Sequence, residues 1–123
     1  MTKPRAKSRP QDFLPLSPTV LHCLLVLGDG ELHGYGIMRA VDEKTDGRER
    51  VLPGTLYASI SRMVADGLLE ELDPPAGGPS GGPKRRYYRR TDLGTAVARA
   101  EAERLRCLVE LARHEKILPE SAR

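Results

Sequence analysis

The sequence predicts an α+β fold that is mainly α, with three short helices, a two-stranded hairpin and one long C-terminal helix. Two kinds of pattern predict it. Apolar residues recur at helical spacing in four segments, and a strand pattern stands on each side of the stretch DPPAGGPSGGP (residues 73–83). The chain has 123 residues, a length that suits a single domain.

The first two helices are marked by their ends. Ser17-Pro18 places a serine cap before a proline at the first helical position, and Gly28 or Gly30 ends the helix that follows. This helix is apolar on most sides, so we expect it to be buried. A second short helix occupies HGYGIMRAVDEKTDG (residues 33–47), which closes on Asp-Gly.

A third helix begins at Pro53 and Gly54, and its two faces differ in chemistry. At about 100° per residue, one arc is apolar and holds Leu56, Ile60, Met63 and Val64. The opposite arc is small and polar with one long cation, and it holds Thr55, Ala58, Ser59, Ser61 and Arg62. A helix that is supported from behind and carries short side chains in front can enter a DNA groove closely.

A strand, a flexible loop and a return strand come next. LLEEL (residues 68–72) is the first strand, and the proline- and glycine-rich stretch after it cannot pack. The return strand KRRYYRR alternates. One face holds Lys84, Arg86, Tyr88 and Arg90, and the other holds Arg85, Tyr87 and Arg89.

The last helix begins at Thr91 or Asp92 and runs to about Lys116. It has two apolar stripes, and a helix with two apolar faces needs two partners. One partner is its own domain, and the second is most simply another copy of the chain. The residues predicted to form the dimer interface are Leu105, Leu108, Val109, Leu111 and Ala112.

This order of elements is that of a winged helix-turn-helix followed by a dimerisation helix. It predicts a homodimeric transcriptional regulator that binds double-stranded DNA at a palindromic operator. The third helix would read the major groove, and the wing would meet the flanking phosphates. The predicted DNA-binding residues are Thr55, Tyr57, Ser59, Ser61, Arg62, Lys84, Arg85, Arg86 and Arg89.

Several alternatives stay open. Tyr57 fits either a phosphate contact or a tyrosine at the edge of the core, and Arg62 fits a base contact, a phosphate contact or a solvated cation. A winged domain with a basic strand would also suit an acidic protein partner. A dimer whose main role is to bind a small molecule is a third interpretation.

The interpretation divides the chain into four parts. A flexible basic tail spans residues 1–13, the winged DNA-binding domain 14–91, the dimerisation helix 92–117 and a second tail 118–123. The N-terminus has no long apolar segment of the kind that a signal peptide needs, so we expect a cytoplasmic protein.

Three segments resemble, in order and spacing, the PadR family of winged-helix transcriptional regulators: HGYGIMRAV, PGTLYASISRMVADGLLEE and RRYYRRTDLG. The resemblance runs from about Leu16 to about Leu111. It implies a homodimeric repressor, and control by a small aromatic or hydrophobic effector, as in some members of the family.

The resemblance also assigns individual residues. It implies that Thr55, Tyr57 and Arg62 lie on or beside the recognition helix. Tyr35 and Gly36 would belong to the second helix, and Tyr88 would pack the wing strand. The sequence departs from the family at Arg90, where an apolar residue is usual. That departure predicts either a phosphate contact or weaker packing of the wing.

Other chemistry finds little support. Cys23 stands in an apolar helix and is expected to be an inert buried thiol, whereas Cys107 lies on an interface stripe where it could pair across a dimer or sense oxidant. The three histidines lack metal-ligand spacing, and no nucleophile or phosphate-loop motif is present. We therefore expect no enzyme activity, no metal and no cofactor.

Overall fold

The computed structural model describes residues 8–73 and 86–119. These residues form four α-helices and three strands, with 3₁₀ turns at Pro10–Phe13 and Leu27–Asp29. In chain order the elements are α1 (Pro18–Val26), β1 (Leu32–His33), α2 (Gly34–Lys44), α3 (Pro53–Ala65), β2 (Leu69–Leu72), β3 (Tyr87–Arg90) and α4 (Asp92–His114).

Short side-chain caps fix where the helices begin. The Ser17 hydroxyl accepts a hydrogen bond from the Val20 N–H at 3.3 Å, as the serine-proline pair predicted. At α4 the cap is Thr91, whose hydroxyl accepts from the Gly94 N–H at 2.9 Å. Gly67 takes a φ of +81° after α3, a left-handed conformation that ends the helix and turns the chain into β2.

The fold class is as predicted, but the sheet has one more strand than the hairpin. Its order is β1-β3-β2, and both pairings are antiparallel. β1 places Leu32 opposite Tyr88 and His33 opposite Tyr87. No sequence pattern indicated β1, because two residues are too short to show an alternation.

The core is mainly aliphatic, and all four helices contribute to it. Leu24, Ile37 and Leu56 are fully buried, and Tyr88 packs against them from the wing with 6% of its surface exposed. Gly94 lets α4 approach the start of β2, because an added Cβ would stand 2.2 Å from the Leu68 carbonyl oxygen. No helix in the described ranges is long and apolar enough to cross a membrane.

The last four residues of the tail predicted for residues 1–13 form regular structure. Pro10–Phe13 forms a 3₁₀ turn against α4, and Phe13 is 7% exposed. The prediction of a flexible segment is therefore wrong for these four residues, since burial of the only phenylalanine favours order over chain entropy. Residues 1–7 lie outside the described part.

A buried carboxylate ties the N-terminal segment to α4. Glu101 is 1% exposed and accepts a hydrogen bond from the Leu16 N–H at 2.9 Å. Arg104, one turn further on, donates to the same carboxylate. This hydrogen bond, more than any other cause, lowers the pKa of Glu101 below its ordinary value. The sequence did not suggest a buried charge between the apolar stripes.

Arg90 corrects both expectations drawn from its position. Its Nη1 donates to the Leu24 carbonyl oxygen at 2.7 Å, and its Nε donates to the Thr95 hydroxyl at 2.8 Å. The guanidinium therefore satisfies a carbonyl of the last turn of α1 and does not point to solvent. It joins the wing to α1 and α4, so the departure from the family pattern adds contacts to the wing's packing.

Candidate nucleic-acid interface

The outer face of α3 presents the polar surface that the sequence predicted. Leu56, Ile60 and Met63 are buried beneath the helix. The exposed residues of the predicted contact set on this helix are Thr55, Tyr57, Ser61 and Arg62, and Ser59 is half-buried. Short side chains at most of these positions leave the helix backbone open to close approach by a groove wall.

Tyr57 leans from α3 onto the first turn of α2. A Cβ built on Gly34 would stand 2.6 Å from the Tyr57 hydroxyl oxygen and 2.7 and 2.8 Å from two ring carbons. Only glycine therefore leaves room for the ring. The residue is nevertheless 49% exposed, so it is a boundary tyrosine whose position also lets it reach a ligand on the surface.

An open cleft of about 530 Å³ lies between α2, α3 and the wing. Its lining residues are His33, Gly34, Tyr35, Tyr57, Ser61, Arg86 and Tyr88. Hydroxyl groups and one guanidinium face a common space there, a set of donors that suits phosphate oxygens. Of the predicted contact residues, the cleft unites Tyr57 and Ser61 of α3 with Arg86 of the wing.

His33 was not among the predicted site residues, and the structure places it in this cleft. Its Nδ1 accepts a hydrogen bond from the Gly36 N–H at 3.0 Å and so caps α2. The ring stands 5.3 Å from Tyr87 in an edge-on arrangement and 6.4 Å from Tyr35 in a stacked one. The sequence held no specific signal for this cap, because histidine is not among the usual capping residues.

The described cations of the predicted wing contact each have an acidic neighbour. Arg89 Nη2 lies 2.9 Å from Glu70 Oε1, and Arg86 Nη1 lies 3.6 Å from Glu71 Oε1. Both arginines remain mostly exposed at the side chain, at 52% and 75%. Lys84 and Arg85, the other two predicted wing contacts, lie outside the described residues.

The second half of α4 carries an apolar surface without cover in one copy of the chain. Leu108, Val109 and Leu111 are 49%, 38% and 56% exposed, and Leu105 and Ala112 are half-buried. Just beyond the helix, Ile117 is 78% exposed. The first half of α4 packs into the core through Val97 and Ala98. The buried and the exposed apolar residues of α4 therefore lie in different halves of the helix.

The cysteines differ in environment as predicted. Cys23 is fully buried, and burial raises the pKa of its thiol to about 12, which leaves it inert. Cys107 is exposed. Within the part of the chain that the structure describes, no group of three or more histidine, cysteine or acidic side chains is arranged to hold a metal ion.

Comparison with known proteins places the chain beside bacterial regulators. The model of the transcriptional regulator PadR-like family matches residues 23–100. Transcriptional regulator Rv3488 of Mycobacterium tuberculosis is 40% identical over 93 residues, which cover 76% of this chain and 78% of that protein.

Solved structures share the fold. A PadR family transcription regulator from Clostridium difficile superposes with a TM-score of 0.66 at 23% identity, over 80% of this chain and 97% of that one. Bacillus subtilis PadR, solved in complex with operator DNA, gives 0.58 at 20% identity, over 74% of this chain and 48% of that one.

Proposed function

This chain belongs to the PadR-like family of transcriptional regulators, and we propose that it acts by placing the outer face of α3 in the major groove of double-stranded DNA. The observation that carries the proposal is the division of α3 into two faces. Its apolar side is buried in the core, and its exposed side holds Thr55, Ser61 and Arg62. A groove about 12 Å wide admits a helix with such short side chains.

In this arrangement the cleft beside α3 meets the DNA backbone. The Tyr57 hydroxyl and the Arg86 guanidinium border the same open space, and both donate hydrogen bonds of the kind that phosphate accepts. Arg89 adds a second described cation on the wing, and Lys84 and Arg85 remain contacts predicted from the sequence. Bacillus subtilis PadR was solved with operator DNA, and we propose that this chain uses the same fold for the same purpose.

We further propose that two copies associate through the second half of α4. The exposed apolar side chains Leu108, Val109 and Leu111 lie within about one turn of the helix, with the half-buried Leu105 and Ala112 on either side. Exposed apolar surfaces of this kind mark interaction sites. Two-fold symmetry would present two α3 helices to a palindromic operator. Repression, and control by a small hydrophobic effector, remain predictions of the family resemblance.

The test is a binding titration against duplex DNA from the protein's own promoter, at salt concentrations from 50 to 300 mM (roughly the range in which counterion release dominates). We expect affinity to fall steeply with salt. Arg86→Ala should weaken binding and reduce the slope of log affinity against log salt by up to about 0.9. Arg99→Ala, which removes an exposed cation from α4, is the matched control and should leave the slope unchanged. Affinity that does not respond to salt would sink the proposal.

A further inference from the structure

The register of the wing sets acidic residues against the cations proposed to meet DNA. β2 and β3 pair so that Glu70 lies opposite Arg89, and Glu71 lies opposite Tyr88. Arg86 stands two residues before Tyr88, and its Nη1 reaches Glu71 diagonally across the two chain segments. The first pair is a hydrogen-bonded ion pair at 2.9 Å. The second, at 3.6 Å, is an ion pair by distance. Both described wing contacts are therefore partly neutralised before any DNA arrives.

These ion pairs are weak enough for a DNA phosphate to replace the glutamate beside each arginine. The glutamate side chains are 47% and 44% exposed, so water screens both pairs. An exposed pair of this kind changes an equilibrium by a factor of about 1.4 to 5. A DNA phosphate offers the same kind of acceptor as a carboxylate, so it can replace the glutamate when it reaches contact distance.

We infer that Glu70 and Glu71 compete with DNA phosphates for the wing arginines, and that they weaken binding to random DNA more than binding to the operator. The inference rests on the proposed function. Attraction to random DNA depends on the release of counterions by unpaired cations. An arginine beside a carboxylate adds little net charge to a loosely placed wing. At the operator, α3 fixes the wing against the backbone, and the phosphate then displaces the carboxylate.

The alternative cause is the general negative charge of the glutamates, which would repel any DNA. Two comparisons separate the causes. Asp66 is an exposed acid at the end of α3 that makes no ion pair with another described residue, so Asp66→Asn removes one negative charge, as Glu70→Gln alone does, without releasing an arginine. In the background of Arg89→Gln, Glu70→Gln has no arginine to release, so an effect that acts through Arg89 must vanish.

The experiment begins with selection of preferred duplexes from a random library by the wild-type protein. Dissociation constants are then measured for the selected duplex and for a mixed-sequence duplex, over a range of salt. For the Glu70→Gln, Glu71→Gln double variant we expect mixed-sequence binding about 2- to 25-fold tighter. Its salt slope should steepen by up to about 2, and the preference for the selected duplex should fall. Circular dichroism confirms that each variant is folded.

The outcomes are separable. An unchanged preference in the double variant would overturn the inference and leave the proposed function standing. The same holds if Asp66→Asn lowers the preference as much as Glu70→Gln alone does, or if Glu70→Gln keeps its effect in the Arg89→Gln background. A wild-type protein that selects no sequence would overturn the proposed function, and this inference with it.

Discussion

Gly34→Ala tests whether the position of the Tyr57 ring against α2 matters for DNA binding. The new methyl group would stand 2.6 to 2.8 Å from three atoms of the Tyr57 side chain, where ordinary contacts between carbon atoms need about 3.5 Å or more. The ring must therefore move by roughly 1 Å. Because the ring is half exposed and can rotate, we expect the free energy of unfolding to change by less than about 1 kcal/mol.

DNA affinity should respond much more strongly than stability. If the Tyr57 hydroxyl donates to a phosphate, loss of that hydrogen bond costs about 1.5–3 kcal/mol, a 10- to 150-fold increase in the dissociation constant. Tyr57→Phe should show a loss of the same size. Gly36→Ala is the matched control, since its methyl group would meet Leu32 and His33 no closer than 3.4 Å.

A double-mutant cycle decides whether Gly34 acts through the hydroxyl. With the hydroxyl already absent in Tyr57→Phe, the further change Gly34→Ala has no hydrogen bond left to remove. The two losses should therefore not add. The reasoning is refuted if both single variants bind DNA as tightly as the wild type, or if their losses sum in the double variant.

Three further predictions concern the fold that supports the interface. Gly94→Ala should lower the free energy of unfolding by about 2–3 kcal/mol, measured by urea denaturation, because its methyl group meets the rigid backbone of Leu68. A change of less than about 0.5 kcal/mol, the spread for neutral surface changes, would contradict the close approach of α4 to Leu68. Arg90→Met should cost about 1–3 kcal/mol by the same measurement, since it leaves the Leu24 carbonyl without its donor, yet it should not alter the salt slope of DNA binding, as a phosphate contact would. The fold lowers the pKa of Glu101 below its ordinary value of 4.5. The charged carboxylate therefore stabilises the fold above pH 4.5, and this contribution is lost as the pH falls through the lower folded pKa. Glu101→Gln should flatten this part of a stability–pH profile, and an unchanged profile would show that the carboxylate does not contribute.

Features set by neighbouring residues could be predicted from the sequence. The Ser17 cap, the glycine end of α3 and the two faces of α3 all follow from spacing within one or two turns. The polar surface of α3 was accessible to prediction for the same reason. Its role in DNA contact, and the role of α4 in dimerisation, remain predictions.

Features that depend on distant residues could not be predicted. β1 is two residues long and exists only because β3 lies beside it. Arg90 and Glu101 are charged residues turned inward, and their partners are a carbonyl 66 positions away and an amide 85 positions away. The wing ion pairs depend on the exact register of β2 and β3, which the proline- and glycine-rich sequence between the strands does not predict.

If the outer face of α3 reads DNA sequence, Arg62→Ala should change the outcome of selection from a random duplex library. Arg62 is exposed on that face, whereas Arg86 is expected to contact only the backbone. We predict that Arg62→Ala changes which bases are selected. Arg86→Ala should weaken binding to all duplexes and leave the selected bases unchanged. An identical selected sequence for wild type, Arg62→Ala and Ser59→Ala would show that this face of α3 does not read bases.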